Sequence, residues 1–237
     1  MSEDDFDEEN IDIISGHRQR VKSRFLNSFA NKNMVYDDYE LLELLLFYSI
    51  PRRDIKPLAK LLLQKYGSLA NILATPDEIL LANKGVSENT VCLLRVIKAT
   101  HTQVLKKSIS QSSVLKNWQD LMDYCFAKIA HEKKEVFHVI YLNVRNILIK
   151  DEILAEGTIN AITVYPREII ARCLDLKANS VIIVHNHPSG NSAPSLEDIE
   201  MTNKLVASLN SISVKLHDHV IIAEGGITSF KELGLLK

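Results

Sequence analysis

The stretch VIIVHNHPSGNSAPSLED, Val181–Asp198, runs four apolar residues into two histidines, a proline and a polar loop. It closes on a serine and an aspartate three residues apart. A short apolar run bounded by turn residues reads as a buried strand. Side chains alternate along a strand, so His185 and His187 share one face and Asn186 takes the other. Pro188 cannot donate to a sheet, which ends the strand and leaves the histidines at its open end. The loop SGNSAP brings the chain to Ser195, which suits a helix N-cap. Asp198 then falls in that helix's first turn, facing back toward the strand end. Two neutral imidazoles and one carboxylate make the ligand set of a catalytic zinc (Zn2+), with a fourth position left for water.

The sequence around this stretch interleaves strands and helices. NWQDLMDYCFAKIAH reads as a helix, and EVFHVIYLN and ILIKDEIL as two β-rich runs joined by the turn NVRN. YPREIIARCLDLKA follows as a helix with Pro166 near its start, and SLEDIEMTNKLVASLNS as another. SVKLHDHVIIAEGG closes the chain as a strand ending at a turn. This half is therefore an α/β or α+β domain, assigned to residues 117–237.

The preceding half reads as all helix. Aspartates lead into the apolar run of YDDYELLELLLFYSI, and RRDIKPLAKLLLQKYG repeats apolar residues at helical spacing before Gly67, a C-cap residue. In TPDEILLANKG, Thr75 suits an N-cap, Pro76 the first helical position and Glu78 a capping box, with Gly85 closing the helix. SENTVCLLRVIKATHTQVLKK continues as a longer helix, and the serine-rich KKSISQSSVLK reads as an interdomain linker over 108–116.

Charge divides the chain the same way. Residues 1–15 carry seven acids and no bases, which reads as a disordered acidic tail. Residues 16–107 carry fifteen Lys and Arg against eight Asp and Glu, a net of +7 that suits weak DNA contact. An acidic N-terminus is unlike a signal peptide, and no apolar run approaches the roughly 18 residues that span a bilayer, so no membrane role is expected. Cys92, Cys125 and Cys173 are scattered without a CxxC, which fits a reducing cytoplasm.

The opening stretch matches the motif of the JAMM (MPN+, JAB-type) metalloproteases, His-x-His-x(7)-Ser-x(2)-Asp, at every required position. More closely it resembles the RadC-like branch, whose HNHPSG loop follows a PRE helix, here Pro166-Arg167-Glu168, and precedes a DH strand, here Asp218-His219. That branch has a helical N-terminal domain related to helix-hairpin-helix modules, so the resemblance covers all but the acidic tail. It implies a JAB/MPN-type mixed α/β domain that hydrolyses a peptide or isopeptide bond of an unknown peptide or protein substrate. His185, His187 and Asp198 would hold zinc, and Ser195 would stabilise the oxyanion as well as cap its helix. The family's general base is a glutamate on an early strand, upstream of the helix leading into the histidines. Glu135 fits that place, with Glu156 and Glu168 as rivals. Glu168 starts a helix, where a role toward the macrodipole is the simpler reading.

Other features carry less. His217 and His219 form a second HxH, but no carboxylate follows at a suitable offset, so a satisfied strand histidine is expected there. Asp218 or His219 would instead orient one of the zinc histidines. His138 alternates with apolar residues and reads as a packed or sheet-surface histidine. Lys84-Gly85-Val86 resembles the KGIG of a helix-hairpin-helix, but Ser87 replaces the second glycine that lets backbone N–H groups approach phosphate. Two other function classes stand beside hydrolysis of a peptide bond. One is a nucleic-acid-associated factor with a vestigial or structural metal, because RadC-like proteins have carried a DNA-repair label. The other is a metal-dependent nuclease, which a single zinc serves less well than a two-metal clamp.

Overall fold

A computed structural model of the chain describes residues 3–31, 36–110, 112–157 and 165–236, with the backbone alone for residues 3–15. Two compact units result, residues 1–99 and 100–237.

The first unit is helical: α1 (Glu3–Ala30), α2 (Asp38–Ser49), α3 (Lys56–Tyr66), α4 (Leu69–Ala74), α5 (Asp77–Leu81) and the opening turns of α6 (Glu88–Ser110). Asp37 starts α2 by accepting the Glu40 N–H at 2.7 Å. Gly67 ends α3 at φ +85°, a conformation that only glycine adopts without strain. Leu42, Leu46, Leu62, Ile72 and Leu80 form the centre of the core. Arg18 of α1 donates to the carbonyls of Phe47 and Ile50, acceptors at the end of α2, and to that of Arg53 in the turn beyond.

Three expectations for this region are corrected. The acidic segment Glu3–Ser15 has the backbone of α1 rather than of a disordered tail. No proline or glycine interrupts the stretch, so the backbone can continue the helix. Thr75 terminates α4 instead of starting α5, its hydroxyl donating to the Asn71 carbonyl at 2.7 Å, and Pro76 takes the N-cap position without a capping bond. The linker expected over 108–116 begins as the last turn of α6, and Ile109 and Val114 are buried in the core of the second unit. Apolar anchors outweigh a serine-rich composition here, while Ser108 and Ser110 bond back onto Leu105 and Lys107 of the helix.

The second unit contains α7 (Trp118–Ile129), β1 (Glu135–Leu142), β2 (Leu148–Gly157), α8 (Pro166–Leu176), β3 (Ser180–Asn186), α9 (Leu196–Asn210), β4 (Lys215–Ala223) and β5 (Gly226–Ser229). One mixed sheet runs β2-β1-β3-β4-β5, with β3 and β4 parallel and the other neighbours antiparallel. Every residue of β3 is buried, as its unbroken apolar run requires of a central strand. Val136, Ile140, Ile182 and Val184 pack with α7 on one face. Phe137, Val139, Val181 and Ile183 pack on the other with residues of α8 and α9. The fold is thus a helical N-terminal region followed by a mixed α/β sheet domain. No helix among the described residues is long and apolar enough to cross a membrane.

Candidate metal centre

His185 lies in the last turn of the ladder, with Phe137 of β1 and Ile221 of β4 as neighbours in register. Beyond Asn186 the backbone still touches β4, because His187 N–H donates to the Ile222 carbonyl at 2.9 Å. Pro188 then turns the chain away, and Gly190 follows at φ +84°. Ser195 caps α9 in a full capping box with Asp198. Its Oγ accepts the Asp198 N–H at 3.1 Å, while its N–H donates to Asp198 Oδ2 at 2.8 Å. The Ser195 hydroxyl proton goes to the same Oδ2 at 2.7 Å.

These elements bring His185, His187 and Asp198 together, the one such group of three among the described residues. The two Nε2 atoms lie 2.9 Å apart. Asp198 Oδ1 is 3.2 Å from His185 Nε2, and Oδ2 is 3.4 Å from His187 Nε2. The opposite ring nitrogens show which protons are present. Thr202 Oγ1 donates to the Asp198 carbonyl at 2.6 Å, so it must accept from His219 Nδ1, also at 2.6 Å. His219 Nε2 is then an acceptor, and His185 Nδ1 donates to it at 2.8 Å. His187 Nδ1 donates to the Asn191 carbonyl at 2.8 Å. Both Nε2 atoms are left with bare lone pairs pointing at each other and at a carboxylate. Three acceptors so close repel one another unless a proton or a metal cation lies among them, and this donor set fits a metal ion. Tetrahedral zinc at its usual N and O distances separates ligand atoms by about 3.3 Å, close to what is seen here.

The electrostatics follow from this geometry. Burial pushes the Asp198 carboxyl up, but the adjacent His185 and His187 imidazoles and the Ser195 hydroxyl outweigh it and hold the group well below the usual carboxylate range. The adjacent Asp198 carboxylate raises the His187 imidazole above its ordinary value. Complete burial drives His219 far down, so it stays neutral as its two hydrogen bonds require.

Glu135 heads β1, and alternation puts it on the face of Phe137 and His185. Burial raises its carboxyl above the ordinary value, countered in part by the nearby His185 and His187 imidazoles. Glu156 pairs in register with Val136 and so belongs to the opposite face, exposed. Glu168 lies exposed in the first turn of α8, where it meets the helix dipole.

The second HxH comes apart in the structure. A register shift after Leu216 separates its residues, with His217 Nε2 2.7 Å from Asn146 Oδ1 and His219 behind His185. Asp218 is structural, accepting from Ser229 Oγ, the Lys231 N–H and the His219 N–H. His138 is packed, its Nε2 3.0 Å from Asp151 Oδ2. Thr202 and Asn186 went unassigned in the sequence. The x of HxH says only that Asn186 faces away, and Thr202 one turn after Asp198 gives no signal without the register of β4.

The family model described as RadC-like JAB domain matches residues 115–235. A UPF0758 protein of Ruegeria pomeroyi is 42% identical over 223 residues, covering 94% of this chain and 98% of its own length. A UPF0758 protein of Rhodobacter capsulatus is 42% identical over 216 residues, covering 91% of this chain and all of its own.

Proposed function

The chain belongs to the RadC-like JAB family, and from that premise we propose that it is a zinc-dependent hydrolase of JAMM type that cleaves a peptide or isopeptide bond. The observation that carries this reading is the convergence of two bare imidazole nitrogens and the Asp198 carboxylate, with the Glu135 carboxylate on the same side of the sheet. His185, His187 and Asp198 would hold the ion. When bound, zinc supplies a Lewis acid for a carbonyl oxygen and makes a water acidic enough to lose its proton near neutral pH.

The remaining work falls to the chain's own residues. Glu135 takes the proton of the attacking water on its carboxylate and returns it to the departing amine nitrogen. Its raised affinity for protons suits a group that must hold one between two steps. Ser195 is assigned the contact with the oxyanion formed at the carbonyl, for which its hydroxyl proton must turn away from the Asp198 Oδ2 that accepts it here. His219 and Thr202 keep His185 in the tautomer that offers Nε2. The three cysteines are free, which suits the cytoplasm as the site of action.

The test is a cleavage profile of apo and zinc-loaded protein against a proteome-derived peptide library, with matched duplex and single-stranded DNA beside it. Zinc-dependent peptide cleavage is expected. Cleavage of DNA alone would make the protein a nuclease, and zinc binding without any cleavage would leave a structural metal.

A further inference from the structure

Asn186 stands between the two histidines, yet its side chain works on the other face of the sheet. It is fully buried. Its Oδ1 accepts the Val136 N–H at 2.7 Å, and its Nδ2 donates to the carbonyls of Glu132 and Lys134, both at 3.0 Å. One N–H on one side and two carbonyls on the other leave a single orientation for the amide. Every group it touches is backbone, and all lie within the five residues by which the chain enters β1.

Those five residues surround Glu135. The β1–β3 ladder reaches only to the pair Phe137 and His185, so Glu135 lies past its end on that side. On the other side it keeps its partner Gly157 of β2. The Asn186 amide replaces the missing ladder bonds, holding the peptide groups immediately before and after Glu135. The same short segment of β3 thus carries the metal histidines on one face and, on the other, fixes the strand that brings in the carboxylate. We propose that Asn186 is a positioning residue for Glu135, setting the distance of the proton carrier from the metal centre. This inference rests on the reading of Glu135 given above and extends it to the residue that places it.

The test is a double-mutant cycle in the full-length protein: wild type, Asn186→Ala, Glu135→Gln and the pair. Zinc affinity is measured by chelator competition with the metal alone as probe, and turnover on the peptide library is followed in parallel. Glu135 contributes a negative charge beside the site, so displacing it weakens zinc binding as well as catalysis. Asn186→Ala is expected to lower zinc affinity by about tenfold in the wild-type background, the scale of outer hydrogen-bond partners of metal ligands. With Glu135→Gln already present, the further loss should stay under about twofold, and turnover should show the same non-additivity. Equal effects in both backgrounds, including no effect in either, would overturn the proposal, because Asn186 would then act on the histidines or on the fold directly. Should zinc-loaded wild type cleave no peptide, the hydrolase reading fails while the affinity cycle still decides the role of Asn186. If Asn186→Ala does not fold, Asn186→Ser, which keeps a hydroxyl for a bridging water, takes its place in the same cycle.

Discussion

His185 and His187 each tie one ring nitrogen to the protein and leave the other facing the site. The tie differs in strength of enclosure: His185 leans on the buried His219–Thr202 pair, His187 on a loop carbonyl. Zinc should bind at about one per chain, and His187→Ala or Asp198→Ala should reduce it to a small fraction, read by metal analysis of dialysed protein. Full occupancy in a His185→Ala, His187→Ala double variant would place the metal elsewhere. His219→Ala keeps all three ligands but frees the His185 tautomer, so a loss of about 10- to 100-fold in zinc affinity is expected by chelator competition. Ser195→Ala separates capping from catalysis. Loss of the cap alone costs about 1 kcal/mol in an unfolding titration. Loss of an oxyanion donor costs about 100-fold or more in turnover. The second pattern is expected, and unchanged turnover would return Ser195 to a purely structural role. The placement of the histidines, Ser195 and Asp198 in the fold was legible because strand alternation and helix capping are local rules. His219 and Thr202 were not, because their place depends on how β4 registers against β3.

Between elements, two contacts hold the site in shape. The turn after β4 sits against the metal loop, with the Gly225 N–H donating to the Gly190 carbonyl at 3.2 Å and Thr228 Oγ1 to Ser192 Oγ at 2.9 Å. A Cβ on residue 225 would lie 2.6 Å from that carbonyl oxygen, so the loop carrying the Asn191 acceptor of His187 must move. Gly225→Ala should therefore weaken zinc binding while leaving the sheet's circular dichroism unchanged. Farther from the site, buried Asp151 of β2 joins α6, α7 and β1. It pairs with Lys106 at 2.5 Å and with Lys128, accepts from Tyr124 Oη at 2.6 Å, and meets His138. Burial raises the Asp151 carboxyl, but its bonds to His138, Lys106, Lys128 and Tyr124 overcome this and hold it far below the usual range. A depressed carboxylate contributes stability above its unfolded pKa of about 3.9 and loses it as pH falls below that value. Urea unfolding should show that loss below about pH 4, and it should shrink in Lys128→Met, which itself destabilises by about 3–5 kcal/mol at neutral pH by leaving a buried charge short of a partner. The linker reading failed at this level: Ile109 and Val114 belong to a core assembled from distant strands, which no window of sequence displays. Thr75 was misplaced because a threonine beside a proline satisfies the rules for ending one helix and for starting the next.

Over the whole chain, an acidic N-terminal stretch, a helical region of net charge +7 and an α/β domain follow one another. The α/β class was legible from alternating strand and helix patterns, whereas the sheet order β2-β1-β3-β4-β5 was not, since the parallel placement of β4 on β3 is a long-range choice. The +7 region gives the expectation of weak DNA binding, measured as a duplex titration whose affinity falls steeply between about 50 and 200 mM salt. Absence of binding at the lower salt would leave those helices to dock a protein. Such contact is secondary to the central claim, that one face of the sheet joins a metal held by His185, His187 and Asp198 to the base Glu135. The most direct measurement is turnover of zinc-loaded wild type, Glu135→Gln and Glu156→Gln on the peptide library, with zinc content determined for each. Wild type and Glu156→Gln should cleave alike, while Glu135→Gln, zinc-loaded and folded, should lose about 100- to 10,000-fold in turnover. Full activity in zinc-loaded Glu135→Gln would contradict the account.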